Sequence, residues 1–258
     1  MNEPAIKRLK RIIVDTAYQT GEGHIASSFS ILDIMYVLTH KVMHIDREHL
    51  CALENDHLVV SKGHASIGLY AVLSDLGFFP QEALAEFGKR DSMLGGHPDR
   101  NKVPGVDIST GSLGHGLPNA IGLAYGLKLQ KIPAKVYVIV GDGELNEGTM
   151  WEAALLASHF KLQNLCCIVD NNHSIERAIN LTDIGEKFAS FGWQVSTVNG
   201  HCHEDLEDVL KREFSAPHVV VADTIKGQGC SMMETNPMLW HHKSPTPEEY
   251  QQIMEELR

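Results

Sequence analysis

The sequence predicts an α/β fold: a doubly wound, mainly parallel sheet with helices on both faces, formed by residues 1–258 as a single domain. Three observations lead there. Short apolar runs of strand length, such as 136–140 (VYVIV) and 165–169 (LCCIV), alternate with segments of helical periodicity. Glycines and prolines punctuate the joins between them. The runs at 136–140 and 165–169 enclose one helix-length segment, which makes a βαβ unit whose two strands run the same way.

That unit organises the rest of the chain. Its first strand runs into Gly141-Asp142-Gly143 and its second into Asp170-Asn171-Asn172. Asp142 and Asn172 therefore emerge at the carboxyl ends of neighbouring parallel strands, where open α/β sheets bind ligands. A carboxylate, an amide oxygen and a backbone carbonyl supply hard oxygen ligands, which suit a divalent cation that also holds phosphate oxygens. Thr149 and Glu152 match a capping box for the intervening helix, whose apolar face is Met150, Ala153, Ala154, Ala157 and Phe160.

The remaining elements come in order. A helix is expected over 3–20, with Ile6, Leu9, Ile13 and Ala17 on one side and Gly21 as its stop. Residues 21–28 (GEGHIASS) read as a flexible small-residue loop that presents His24 and leads into a helix from Ser30. A strand at 57–60 ends in Ser61-Lys62-Gly63-His64 and passes into a helix over 65–76, closed by Gly77. Pro80 starts a short helix that Gly88 ends, and residues 94–99 (LGGHPD) form a turn carrying His97. Arg90, Arg100 and Lys102 beside that turn read as solvated surface charge.

Residues 107–129 hold Gly111, Gly114 and Gly116 in a loop that lets backbone approach a flat ligand. Gly122 and Gly126 lie beyond it on a helix with Pro118 in its first turn, spaced for close helix packing. Beyond the central unit come a helix over 183–191, a strand over 193–198, a helix over 204–214 and a strand over 219–222. His201-Cys202-His203 lacks ligand partners at useful spacing and reads as a surface loop rather than a metal site. A Met-rich loop then leads to Trp240-His241-His242, and a helix capped at Thr246 runs to the last residue.

Composition narrows the function classes. Lys and Arg number 22 against 33 Asp and Glu, and the net charge of −11 repels nucleic-acid backbones. The amino terminus has charges inside its apolar pattern and no signal-peptide core, and no run reaches membrane-spanning length. Five cysteines form no Cys-x-x-Cys and read as reduced core residues, so a cytoplasmic location is expected. Cys166 and Cys167, adjacent on a strand, should point to opposite faces of the sheet. Histidine, with 15 residues, is in excess.

Taken together, the motifs resemble the amino-terminal, diphosphate-binding half of transketolase. Gly23-His24, Ser61-Lys62-Gly63-His64, Gly96-His97-Pro98, Ser109 to Gly114 (STGSLG), the Gly-Asp-Gly to Asn-Asn unit and Trp240-His241 occur in that family's order along nearly the whole chain. The resemblance implies thiamine diphosphate as cofactor, with Mg²⁺, or Ca²⁺ or Mn²⁺, on Asp142, Asn172 and the Ser174 carbonyl. It implies diphosphate contacts from Gly143, Asn172, His64 and His241, and cofactor-ring contacts from Gly111, Ser112 and Leu113. It places His24, His97 and His241 against the sugar, and gives Glu147 a supporting role at a dimer interface. Ala26, Gly88 and His115 depart from common family residues, which leaves the identity of the sugar open.

The implied reaction moves a two-carbon ketol unit from a ketose or its phosphate to an aldehyde. In this family the Glu that activates the thiazolium belongs to a pyrimidine-binding domain. No second doubly wound unit is legible in these 258 residues, so the expected partner is a separate pyrimidine-binding subunit, in an α2β2 heterotetramer. The alternatives are an enzyme like 1-deoxyxylulose 5-phosphate synthase, an α subunit of a 2-oxoacid dehydrogenase decarboxylase, a specialised or carrier-bound acceptor, and a non-catalytic relic that binds the partner without turnover.

Overall fold

The computed structural model describes residues 3–46, 48–50, 52–176 and 179–258. Five strands, β1 (His57–Val60), β2 (Val136–Gly141), β3 (Leu165–Asn171), β4 (Gln194–Asn199) and β5 (His218–Asp223), form one sheet in the order β1-β2-β3-β5-β4. Every pairing is parallel, and Val136 sits opposite Leu165 in the β2–β3 register, so Gly141 lies beside Asp170. The expected adjacency of the two central strands is what the fold contains.

Alternation along the strands splits the core into two layers. Tyr137, Ile139, Ile168, Val220 and Ala222 face a cluster built from α1 (Glu3–Thr20), α2 (Ile25–Val37), α3 (Ser66–Asp75), α7 (His203–Leu210) and α9 (Pro247–Glu256). Val136, Val138, Val140, Val169, Val219 and Val221 face α4 (Gly116–Gln130), α5 (Gly148–His159) and α6 (Ile184–Ser190). This is the period-two geometry of a sheet covered on both faces. Cys166 packs against the first layer and Cys167 lies in the second, as their adjacency requires. Cys166, Cys167, Cys202 and Cys230 are free; Cys202 is a half-buried helix-cap residue rather than a core one, and Cys51 lies outside the described residues.

The sequence misplaces the start of α2. The segment read as a flexible loop is helical from Ile25, and all thirteen residues of the helix are buried. Its serines hide the pattern, because a helix enclosed on every side has no polar face to supply a 3.6-residue rhythm. Gly68 explains the close approach of α3: a Cβ there would stand 2.8 Å from the Ser28 Cβ.

Three smaller expectations fail. Thr149 does not cap α5; Glu147 holds the cap position without a side-chain bond, and the Thr149 hydroxyl donates to the Gly114 carbonyl at 2.8 Å. The His201-Cys202-His203 segment is no surface loop, because His203 is 3% exposed and both imidazoles donate to Asp33 on α2, at 2.9 Å from His201 and 2.7 Å from His203. Burial alone would raise the Asp33 pKa, but these two hydrogen bonds hold it at about 2. Gly122 and Gly126 do not pack against a neighbour, since a Cβ at either would meet open space.

Gly116, at the start of the same helix, has no such room, and a Cβ there would lie 2.1 Å from the Ser61 Oγ. Gly116→Ala should therefore lower stability by about 3 kcal/mol through overpacking. Gly122→Ala and Gly126→Ala should raise it by up to about 1 kcal/mol each. Chemical denaturation of the three variants checks both signs.

Among the described residues, no helix is long and apolar enough to cross a membrane.

Candidate functional site

The carboxyl ends of β1, β2, β3 and β5 meet at a buried charged centre. Asp170, next to last in β3, has no exposed surface and forms a short ion pair with Lys62, which follows β1 and is 3% exposed. The Ser30 hydroxyl donates to Asp170 at 2.7 Å, the Asn172 amide donates at 2.9 Å, and the Thr224 hydroxyl also donates. Burial alone would raise the Asp170 pKa, yet Lys62 and these donors outweigh it and keep the carboxylate below its usual range. Asn172 is thereby gripped from within: its amide nitrogen is bound to Asp170 and Ser30, and its amide oxygen accepts from the Ser174 amide and hydroxyl.

Asp142 sits one strand away, 4% exposed. Its Oδ1 accepts from the Gly143 amide at 2.7 Å, whereas its buried Oδ2 has no hydrogen-bond partner. Burial raises the Asp142 pKa and Asp170 adds to it, against the Gly143 and Ile175 amides and Lys62, none of which places a donor in hydrogen-bond geometry at Oδ2. A buried carboxylate oxygen without a donor is costly, and a divalent cation is the species that would satisfy it, so the residues present fit a metal at this point. Among the described residues, no group of three His, Cys, Asp or Glu side chains is placed to hold a metal. The set expected from the sequence, with its single carboxylate, does not require one.

The glycine-rich loop closes over the ends of β1 and β2. Glu144, 1% exposed, accepts from the Gly114 amide at 2.8 Å, from the Gly141 amide at 3.2 Å and from the Ser61 hydroxyl. This ties the loop to both strands. Gly63 lies so close to it that a Cβ would stand 2.8 Å from the Gly111 nitrogen. Gly111, at φ +155°, carries the His97 ring 3.1 Å from where its own Cβ would be. Ser112 and Leu113 are exposed beside it.

Histidines line the outer side of this centre. The His24 ring lies 5.1 Å from His64 and 5.5 Å from His241, and stacks on His242 at 4.4 Å and 15°. Burial, then the His242, His241 and His97 charges, pull the His24 pKa down to about 4. Burial and Lys62 take His64 down to about 2. His241 is lowered by burial and by Lys226, whose ammonium donates to the His241 Nδ1 at 2.8 Å. That bond leaves the His241 proton on Nε2. Near neutral pH these rings are uncharged, each offering one donor and one acceptor.

Trp240, 1% exposed in the first core layer and under the Lys243 ammonium at 4.5 Å, anchors the turn that carries His241 and His242. Beyond that turn, the capping box of Thr246 and Glu249 fixes the start of α9.

The structure thus gathers His24, His64, His97, His241, Gly111, Asp142, Gly143 and Asn172 at one end of the sheet. Glu147 stands apart from the charged centre, exposed and packed against Gly114. Sequence patterns did not single out Lys62, Asp170, Glu144, Thr224 or Lys226. Lys62 and Asp170 lie inside the strand-end motifs, and a charged residue flanking an apolar strand is the signal that marks them. Lys226 has none, because its 7% exposure and its approach to His241 depend on a turn closed by the Gly227 amide donating to the Ala26 carbonyl at 3.0 Å. Ser27, in the first turn of α2, has a buried hydroxyl without a partner.

Residues 1–249 match the family described as transketolase, thiamine diphosphate binding domain. One apulose-4-phosphate transketolase subunit, from Actinobacillus succinogenes, is 40% identical, over 98% of this chain and 94% of that protein. The 6-deoxy-6-sulfo-D-fructose transketolase subunit of a Clostridium species is 33% identical, over 96% of this chain and 93% of that one. Transketolase from Leishmania mexicana superposes with a TM-score of 0.90 at 27% identity, over 100% of this chain and 41% of that chain. The chain therefore spans about two fifths of that transketolase and nearly the full length of the two subunits.

Proposed function

Because this chain belongs to the transketolase family, as an amino-terminal, thiamine-diphosphate-binding subunit of the split type, we propose that it transfers a two-carbon ketol unit from a ketose or ketose phosphate to an aldehyde. It does so with Mg²⁺, or Ca²⁺ or Mn²⁺ in its place, and with a separate pyrimidine-binding subunit in an α2β2 assembly. The observation that carries the reading is the Asp142 Oδ2, buried where β2 ends with no hydrogen-bond partner and with Lys62 and Lys226 near enough to act on it.

In this reading Asp142, Asn172 and the Ser174 carbonyl hold the metal. Gly143, Asn172, His64 and His241 hold the diphosphate, with Lys62 and Lys226 supplying positive charge. Gly111, Ser112 and Leu113 support the cofactor's rings through backbone atoms. When bound, thiamine diphosphate supplies the carbanion chemistry that breaks and remakes the ketose carbon–carbon bond. The protein's part is positioning and proton handling. His24, His97 and His241 bind sugar hydroxyls, and His241, its Nδ1 occupied by Lys226, donates from Nε2. The lowered pKa of His24 keeps that ring uncharged and able to accept a proton near neutral pH, whereas His241, its lone pair taken by Lys226, acts as a donor.

The two relatives of subunit type are named for an apulose phosphate and a sulfo-fructose, which favours a specialised sugar for this chain also. The reading is tested by reconstitution. The purified chain by itself should bind thiamine diphosphate weakly and show no ketol transfer. Adding Mg²⁺ together with the pyrimidine-binding subunit should restore transfer from a ketose, and transfer from pyruvate should stay absent. Turnover by the lone chain would overturn the two-subunit reading, and a preference for pyruvate would overturn the ketose one.

A further inference from the structure

We propose that His242, oriented by Glu22, is a specificity-determining residue of the sugar site: it accepts a hydroxyl of the donor chain and, with the carboxylate beside it, forms a wall that selects neutral hydroxyls over an anionic group. The inference rests on the ketol-transfer reading and deepens it, because neither residue belongs to the set assigned there.

The four imidazoles are contiguous, and their surroundings change from one end to the other. Inner His64 and His241 lie near Lys62 and Lys226, and burial together with these charges depresses their pKa values. His242 is the outer ring, stacked face to face on His24 with centroids 4.4 Å apart. Its Nε2 lies 3.1 Å from the Glu22 Oε2, and the two side chains are 57% and 56% exposed. The site is thus cationic where a diphosphate would rest and carries a carboxylate at its solvent-exposed outer end.

A carboxylate accepts only, so His242 keeps a proton on Nε2 toward Glu22, and in the neutral ring Nδ1 carries the lone pair that can accept. Stacking on His24 fixes the plane of the ring, and Glu22 fixes its rotation and tautomer. Two partners for one side chain on an exposed turn define a directed acceptor. Gly88 keeps the position open: a Cβ there would stand 3.5 Å from the Glu22 Cβ, and Gly88 itself brings no side chain between Glu22 and solvent. The turn is held from below by buried Trp240 and by the Ser244 hydroxyl donating to the Ala17 carbonyl at 2.6 Å, so His242 can be altered without disturbing its anchor.

The test uses the assembled enzyme with fructose and fructose 6-phosphate as the donor pair. His242→Ala should raise KM for fructose 6-phosphate about 10-fold, with kcat within about twofold and thiamine diphosphate affinity unchanged, the pattern of a lost hydrogen bond to the substrate. Glu22→Gln removes the carboxylate and should raise kcat/KM for the phosphate relative to the free sugar by about threefold, a modest gain because the site is open to solvent. An unchanged KM in His242→Ala overturns the proposal, as does a parallel fall in cofactor affinity, which would make the residue structural. An unmoved donor ratio in Glu22→Gln overturns the part assigned to the carboxylate. Absence of transfer from this pair and from other ketoses and ketose phosphates in the unaltered complex would instead strike the ketol-transfer reading.

Discussion

Asp142→Asn should abolish the metal-dependent retention of thiamine diphosphate, a loss of roughly 100-fold or more in affinity, without destabilising the empty protein. The two halves of this expectation come from the same atom. The buried Oδ2 has no partner, and burial raises the pKa of the carboxyl, so the ionised side chain costs the fold free energy in the absence of a cation. Asn keeps an acceptor for the Gly143 amide that Oδ1 now satisfies at 2.7 Å. Melting curves therefore separate a site residue from a structural one. With cofactor and Mg²⁺ at about 100 times their dissociation constant, the unaltered complex should gain about 2.7 kcal/mol. The variant should melt at or above the unliganded value and gain almost nothing from the ligands. A ligand-induced gain that survives the substitution would move the metal elsewhere.

How much of the fold and the site is legible in the sequence depends on what each signal is made of. The parallel sheet, the pairing of β2 with β3 and the opposite faces of Cys166 and Cys167 come from chain-local patterns, apolar runs and period-two alternation, and these carry over directly into the structure. The site is legible where a motif sits on a strand end, as with Asp142 and Asn172, because the strand fixes where the next residue emerges. It is not legible where position depends on distant segments. His203 looks like a polar turn residue until Asp33, 170 residues earlier, accepts its proton. Thr149 looks like a cap until the Gly114 carbonyl takes its hydroxyl. His242 is visible as a letter beside His241, but its place beside Glu22 spans 220 residues and cannot be inferred from spacing.

The same dependence on distant segments makes Lys62→Met the substitution with the largest expected effect on stability. Lys62 follows β1 and Asp170 is next to last in β3, so their ion pair bridges β2, and both side chains are almost wholly buried. Removing the ammonium leaves a carboxylate with only the neutral donors Ser30, Thr224 and Asn172, and an uncompensated buried charge costs about 3–5 kcal/mol. For a chain of this size the melting temperature should fall on the order of 10 °C.

The pH dependence identifies the mechanism. In the unaltered chain, burial acts to raise the Asp170 pKa but Lys62 and the hydrogen bonds leave it lowered. A lowered carboxyl contributes stability that is complete above its ordinary value near 4 and is lost only as pH falls through the lower folded value, so the chain should show no Asp170-linked change between about pH 5 and pH 8. Without Lys62 only the neutral donors oppose the burial effect, so the folded pKa should rise above the unfolded one and the folded state should bind the extra proton. Lys62→Met should therefore become more stable on going from about pH 8 to pH 5. Lys62→Met combined with Asp170→Asn should recover most of the lost stability, because no charge then remains buried, while Asn172 loses the carboxylate that accepts from its amide. A Lys62→Met protein whose deficit is the same at both ends of that pH range would show that the lysine stabilises by packing rather than by charge.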